Sequence, residues 1–448
     1  MIRRILFERW RRDAQAIFQA GVRSVDPETL VRRAIRPRRD GFQIDDRHIT
    51  VSGSVWVVGA GKASARMARA VEAVLGDRIA GGVVVTKDGY DVPTNRVTVH
   101  TASHPVPDTR SVTAARAIVD VVRRADPGDH ILVLLSGGAS ALMEWPLEHV
   151  SLEDMQTVTR MLLECGATIH EINTVRKHLS RVKGGQLIRW AHPTPVTTLA
   201  ISDVVGNDPS VIGSGPTVPD PSRFADARAV LERYGLWDRI PPAIRDVLEK
   251  GMCHEIPETP KPGDPIFRHA TFVCIGDNQD ALTAAARKAR RRGYHTVILT
   301  SFLEGDVQAV AQWIVAVARQ VMTYGQPVRP PACILWGGET TVQVRGPGQG
   351  GRNQELVVRV GTGLQPDDPV VFLSGGTDGT DGPTDAAGGV IDGATVARGR
   401  QQGIHPEPYL ERSDTYTYLQ RVGGLLLTGP TGTNVMDLLV LIVGAGVS

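Results

Sequence analysis

Six polar or glycine-rich loops and the charged residues beside them hold the chemistry available to this chain. The first, Gly59-Ala-Gly61-Lys62-Ala-Ser64, follows an apolar run and places a lysine where a helix should begin. Amides and the helix dipole attract anions there, and Lys62 adds a full charge; otherwise it is a surface lysine after a turn. The loop is not a Walker A motif, because Trp56 stands where the leading glycine is needed, and Ser64 denies it the third glycine of GxGxxG. The second loop, Ser136-Gly137-Gly138-Ala-Ser140, leaves backbone N–H groups open and has two hydroxyls nearby. It could cradle phosphate or simply turn a strand into a helix. The third carries Asp203 and Asp208 after an apolar run. Two carboxylates suit a hydrated Mg²⁺ that also binds phosphate oxygens, and they suit Asx-turns and N-caps equally.

In the fourth region, Trp336-Gly337-Gly338-Glu339 precedes Gly346-Pro-Gly-Gln-Gly-Gly-Arg352, which reads as a flexible loop delivering one guanidinium. Arg352 can clamp phosphate or carboxylate at two points, or pair with a helix end. The fifth spaces Asp378, Asp381 and Asp385 among Gly and Thr, without the closing glutamate of an EF-hand. The sixth is the polar stretch Thr428 to Asn434. His104 could serve as an acid or base, or as a turn residue. Arg176, Ser180 and Lys183 are spaced to share one helix face, reaching an acid substrate or merely solvent. No Ser–His–Asp order and no zinc spacing is present. Glycine loops, cations and carboxylates are the kit for phosphoryl transfer, which needs charge clamps and positioning.

These loops need a scaffold. With 448 residues, 42% apolar and 22% charged, the chain predicts two globular domains. Net charge of +2 gives no argument for nucleic-acid or membrane partners. The arginines of the first 39 residues read as a solvated helix face rather than a nucleic-acid arm. Cys165, Cys253, Cys274 and Cys333 are widely spaced, as expected of reduced thiols in a cytoplasmic protein. No signal peptide is expected at the N-terminus, and the apolar run 438–443 is too short to span a bilayer.

Apolar runs alternating with glycine turns and helical stretches predict βα units and a mainly parallel sheet in each of two Rossmann-like domains. Strands are expected at 54–58, 83–86, 97–100, 130–135 and 195–201, and helices at 62–75, 151–165 and 171–190. The pattern dissolves in a Pro-rich stretch, giving boundaries of 1–235, a linker 236–264, and 265–448. In the second half, strands are expected at 270–275, 296–300, 332–336, 370–373 and 438–443, with helices at 279–292 and 307–324.

Taken together, GAGKASARMA at 59–68, SHPVPD at 103–108, LSGGASALM at 135–143, NTVRKHLSRVKGGQL at 173–187, ISDVVGNDPSVIGSGPTVPD at 201–220, GGETTVQVRGPGQGGRNQE at 337–355, GTDGTDGPTDAAG at 376–388 and TGPTGTNVMDL at 428–438 resemble the glycerate 2-kinase family, also called MOFRL-type or class II glycerate kinases. The resemblance implies a two-domain α/β protein with its active site in the interdomain cleft. It implies transfer of the ATP γ-phosphoryl to the 2-hydroxyl of D-glycerate, with Mg²⁺, by a monomer or homodimer that binds small molecules. Lys62 and Arg352 match the family's key residues, one basic side chain from each half converging on the triphosphate. Gly61, Ser136, Gly137, Gly138, Ser140, Lys183, Gly337, Gly338, Glu339 and Asp378 are then expected around ATP and its phosphates. Lys62, Arg176 and Arg352 are expected on the substrate, and Asp203 and Asp208 on the metal. Family members often carry Pro-Gly-Asp-Asp where this chain has Val205-Gly206-Asn207-Asp208, and Asn where Met436 stands. Relatives have also borne the name hydroxypyruvate reductase, so an NAD(P)H-dependent oxidoreductase is the nearest rival. A sugar-acid sensor without activity is a further one, and retention of both Lys62 and Arg352 argues against it.

Overall fold

The chain opens with helix α1 (Ile2–Ser24), whose apolar side buries Phe7, Trp10, Ala14, Ile17 and Phe18. The structure, a computed structural model, describes residues 2–445 and divides into two compact units. Helix α1 belongs with everything from Asp277 onward, while 27–276 form the other unit. Arg11 explains part of this. Its guanidinium donates to Asp392 Oδ2 at 3.1 Å and to the Val390 carbonyl at 2.9 Å. The N-terminal arginines are therefore not uniformly solvated.

The unit 27–276 begins with α2 (Pro27–Ala34) and a small antiparallel sheet of β1 (Ile35–Arg38), β2 (Gly41–Ile44) and β3 (Arg47–Thr50). Its main sheet is built from β4 (Val55–Ala60), β5 (Ile79–Lys87), β6 (Val97–Ala102), β7 (His130–Leu135), β8 (Val196–Ile201) and β9 (Ala270–Gly276). The spatial order is β6-β5-β4-β7-β8-β9, and every pairing is parallel. Strands β7 and β8 are buried along their whole length, as expected for strands covered on both faces. The order reverses between β4 and β7, and such a switch point leaves a crevice at the strands' carboxyl ends.

Helices of this unit are α3 (Ser64–Leu75), α4 (Thr109–Arg124), α5 (Ala139–Leu142), α6 (Leu152–Glu164), α7 (Ile169–His178), α8 (Gln186–Ala191), α9 (Phe224–Arg233) and α10 (Pro242–Met252). Asp108, Ser151 and Thr168 start α4, α6 and α7 with reciprocal capping boxes. The helix expected over 171–190 is broken. Gly184 and Gly185 adopt left-handed backbone (φ 55° and 79°), and Pro146 bridges to Ser180. Arg176, Ser180 and Lys183 therefore do not share a helix face.

The expected boundaries also move. The Pro-rich stretch 236–264 contains α10, with Pro242 in its first turn, where a missing N–H costs nothing. Residues 270–276, expected to open the second domain, supply β9 at the edge of the first sheet.

The second unit adds α11 (Asn278–Arg291), β10 (His295–Asp306), α12 (Val307–Tyr324), β11 (Ala332–Thr341), α13 (Arg352–Gly363), β12 (Val370–Gly376), β13 (Gly388–Asp392), α14 (Thr395–Gln401), α15 (Glu407–Glu411), α16 (Thr415–Val422), β14 (Leu425–Leu426) and β15 (Asp437–Val443). Its sheet runs β10-β11-β15-β12-β13-β14. Only β10 and β11 pair in parallel, because β15 inserts antiparallel between β11 and β12, and β13 and β14 follow antiparallel. The α/β class holds, while parallel pairing in this sheet is confined to one edge. Val440, Leu441, Ile442 and Val443 are fully buried at its centre, with Trp336 and Phe372 beside them.

Candidate active site

Strand β4 ends at a turn that only glycine can make. Gly61 has φ 132°, and a Cβ there would fall on Ser136. The turn is stapled to the loop after β7. Lys62 N–H donates to the Gly137 carbonyl at 2.9 Å, Ala63 N–H to Ser136 Oγ at 3.0 Å, and Ser136 N–H to the Ala60 carbonyl at 3.1 Å. Ser136 is thus buried, its oxygen engaged with the chain rather than turned outward. Gly138, also left-handed, closes the second loop. A Cβ on it would lie 2.9 Å from the His104 ring and 3.6 Å from Lys62 Cγ. Lys62, His104 and Gly138 therefore meet at the carboxyl ends of β4, β6 and β7, next to the switch point.

Behind this turn lies a buried polar group. Ser140 Oγ is 2.8 Å from Ser214 Oγ, which donates to Asn173 Oδ1 at 2.9 Å. Lys183 has no exposed surface. Its ammonium sits 2.6 Å from Glu144 Oε2 and donates to the Met143 carbonyl at 3.2 Å. Burial lowers the Lys183 pKa, opposed by the Glu144 charge. Arg176 donates to Thr159 Oγ1 at 3.3 Å, and burial lowers its pKa too, again opposed by Glu144. Lys183 therefore positions the Glu144 segment instead of presenting its charge outward. Asp208 follows β8 and accepts from Ser210 N–H at 2.8 Å. Gly206 and Asn207 beside it are both left-handed (φ 80° and 57°).

In the second unit the cation is gripped instead of stapled. Arg352, the first residue of α13, donates to Asp437 through Nε (2.7 Å) and Nη2 (3.0 Å), and pairs through Nη1 with Glu339 Oε1 at 2.6 Å. Burial works against its charge, but Asp437 and Glu339 raise its pKa overall. Register explains the geometry. Asp437 opens β15 opposite Gly338 of β11 and Gly376 of β12, so two residues without side chains flank its carboxylate. Gly337 is required because a Cβ there would fall on Asn278 Oδ1. Asp381 caps α13 by accepting from Asn353 N–H at 3.1 Å and Gln354 N–H at 2.9 Å. Burial first, and then Asp437, push its pKa up to about 6 against those two donors. Asp378 Oδ1 accepts from Thr380 N–H at 3.0 Å, and the Asp378 carbonyl accepts from Thr431 N–H at 3.2 Å.

The loop 346–351 is not the free tether its composition predicts. Gly348 N–H donates to the Arg412 carbonyl at 3.0 Å, and Tyr416 N–H to the Gln349 carbonyl at 2.9 Å. Its glycines allow close backbone packing. The structure brings Gly61, Lys62, Ser136, Gly137, Gly138 and Ser140 together in one unit, and Gly337, Gly338, Glu339, Arg352 and Asp378 in the other. Sequence reasoning missed Asp437, Asn173, Ser214 and Glu144 as partners. A single carboxylate at the head of the all-apolar run 438–443 was the available signal for Asp437.

Comparison with known proteins agrees over almost the whole chain. Residues 13–249 match the model of a domain of unknown function (DUF4147), and residues 332–437 match the MOFRL family. A glycerate 2-kinase of Pyrococcus horikoshii is 41% identical, covering 94% of each chain. A D-glycerate 2-kinase of Thermotoga maritima is also 41% identical, covering 93% of this chain and 99% of that one. A putative hydroxypyruvate reductase of Agrobacterium vitis shares 41% identity over 97% of this chain and 94% of its own. The crystal structure of a Thermotoga maritima glycerate kinase superposes with a TM-score of 0.84 at 38% identity, covering 97% of this chain and all of that one. These define a two-unit α/β protein of the DUF4147–MOFRL type. The chain belongs to the glycerate 2-kinase family.

Proposed function

We propose that this protein transfers the γ-phosphoryl group of ATP to the 2-hydroxyl of D-glycerate, giving 2-phosphoglycerate and ADP. The observation that carries the reading is 41% identity over nearly full length to proteins named for that activity. Retention of the Lys62 turn and the Arg352 clamp supports it. Lys62 and Arg352 are the cations this reading assigns to stabilising charge on phosphate. The loop 136–140 and the Gly337–Glu339 and Asp378 segments bind and orient ATP, and Arg176 helps hold the acid. Fixed cations aimed at developing negative charge lower the barrier without needing a nucleophile of their own.

Among the described residues, no group of three or more His, Cys, Asp or Glu side chains is disposed to hold a metal ion. Mg²⁺ arriving on the nucleotide would take one or two protein carboxylates and fill its shell with phosphate and water. Asp203 and Asp208 would hold it, and it would neutralise charge on the β- and γ-phosphates. We read the protein as a cytoplasmic enzyme acting on small molecules, as monomer or homodimer; no helix among the described residues is long and apolar enough to cross a membrane.

The test is purified protein with ATP, Mg²⁺ and D-glycerate, coupled to enolase without a mutase. Enolase accepts only the 2-phosphate, so signal reports both transfer and its position. Oxidation of NADH by hydroxypyruvate, without ATP consumption, would instead establish the reductase that some relatives are named for.

A further inference from the structure

We infer that Asn278 is a positioning residue: its buried amide holds a left-handed turn at Met436 that sets the Asp437 carboxylate against Arg352. This deepens the kinase reading, which gives Arg352 its task, and rests on it. Asn278 is the first residue of α11 and is 2% exposed. Its Nδ2 donates to the Val435 carbonyl at 2.7 Å and to the Asp437 carbonyl at 3.0 Å. A carbonyl oxygen only accepts, so the NH₂ end of the amide must face both. Turning the amide over would set three oxygens against one another. The Oδ1 so placed has no hydrogen-bond partner among the described residues, and it lies where a Cβ on Gly337 would fall. One buried acceptor is left unpaired, and two donors are thereby brought to a single point on the chain.

Met436, between the two carbonyls, has φ 68°, a region that few residues other than Gly, Asn and Asp enter. Residues i and i+2 of an extended strand lie about 6.7 Å apart, too far for one nitrogen to hold both carbonyls at those distances. The amide therefore fits the kinked chain and not the straight one. Thr377, just past β12, holds the same turn. Its hydroxyl donates to the Met436 carbonyl at 2.6 Å and accepts from Val435 N–H at 2.8 Å. Asp437 leaves the turn as the first residue of β15, and its carboxylate takes Arg352 Nε and Nη2. Arg352 is thus aimed through an amide, a turn and a carboxylate. Were the turn to relax, the guanidinium would keep its charge in the site and lose its aim. Turnover depends on alignment to within about 1 Å, whereas attraction of an anion falls off slowly with distance.

The experiment measures kcat, KM for ATP and KM for D-glycerate in wild type, in Asn278→Ala, and in Asn278→Ala combined with Met436→Asn, each well below its unfolding midpoint. Asn278→Ser replaces Asn278→Ala if the latter does not fold. Wild-type turnover of D-glycerate tests the kinase reading first; its absence would sink that reading and this inference with it. Given turnover, Asn278→Ala should lower kcat about tenfold or more while both KM values stay within about threefold. Asn enters the left-handed region readily, so the double variant should regain at least about threefold in kcat over the single one. A side chain that merely filled space would give no such recovery. Met436→Val attacks the turn without touching Asn278, because a β-branched residue is disfavoured there, and should lower kcat in the same way. Normal kcat in the folded Asn278 or Met436→Val variant, a rise in KM as large as the fall in kcat, or a double variant no faster than the single overturns the inference and leaves the kinase reading standing.

Discussion

The two units hold their principal cations by opposite means. Lys62 stands on a turn fixed by backbone bonds to Gly137 and Ser136, with Gly138 and His104 against it. Arg352 is held by two carboxylates, one of them, Asp437, almost fully buried. The first arrangement fixes the main chain from which the lysine extends. The second fixes the guanidinium itself and balances its charge within the fold. Removing each cation should therefore have different consequences. Around Lys62 the turn survives its loss, whereas around Arg352 a buried carboxylate is orphaned.

The largest effect should come from Arg352→Ala. Turnover should drop to background, and the unit should lose roughly 3 kcal/mol, the cost of breaking a buried pair from one side. Adding Asp437→Asn should restore much of that stability and none of the turnover. Denaturant melts alongside the enolase-coupled rate would separate the two. Equal instability of the single and double variants would mean that the carboxylate is not what Arg352 balances.

A smaller contrast lies in acid. In the unit 27–276, burial lowers the His130 pKa to about 4 from 6.5, so stability from its neutral form is complete above pH 6.5 and lost as pH falls towards 4. Asp381, in the other unit, is pushed up to about 6 from 3.8, so its contribution is complete below about 4 and lost as pH rises through 6. Acidification from pH 7 to 4 should weaken the first unit through His130 and strengthen the second through Asp381. Hydrogen exchange read peptide by peptide would resolve this. The pH slopes should vanish in His130→Asn and Asp381→Asn respectively, and slopes that persist in both would contradict the assignment.

What the sequence disclosed followed from local patterning. The strand–turn–helix rhythm placed β4, β7 and β8, and with them the turns at Gly61 and Gly138, because short apolar runs and paired glycines are local signals. Direction within a sheet is not local. The run 438–443 looks the same whether it pairs in parallel or, as β15 does, antiparallel between β11 and β12. Membership of α1 in the later unit rests on contacts such as Arg11 to Asp392, which no nearby residue encodes. The break after α7 was legible in Gly184-Gly185 but was outweighed by a helical run on either side. Arg352 and Lys62 stood out by residue type. Asp437 and Glu144, which hold or neutralise charge from within the fold, had no such mark, since a lone carboxylate beside an apolar run has many ordinary uses.

The most direct test of phosphoryl transfer by a turn-mounted lysine is kcat for D-glycerate in Lys62→Ala, taken with its unfolding midpoint. Loss of one charge-stabilising group of this kind predicts a fall of about a hundredfold or more with the midpoint unchanged. A variant that folds normally and turns over at close to the wild-type rate would contradict that role for Lys62.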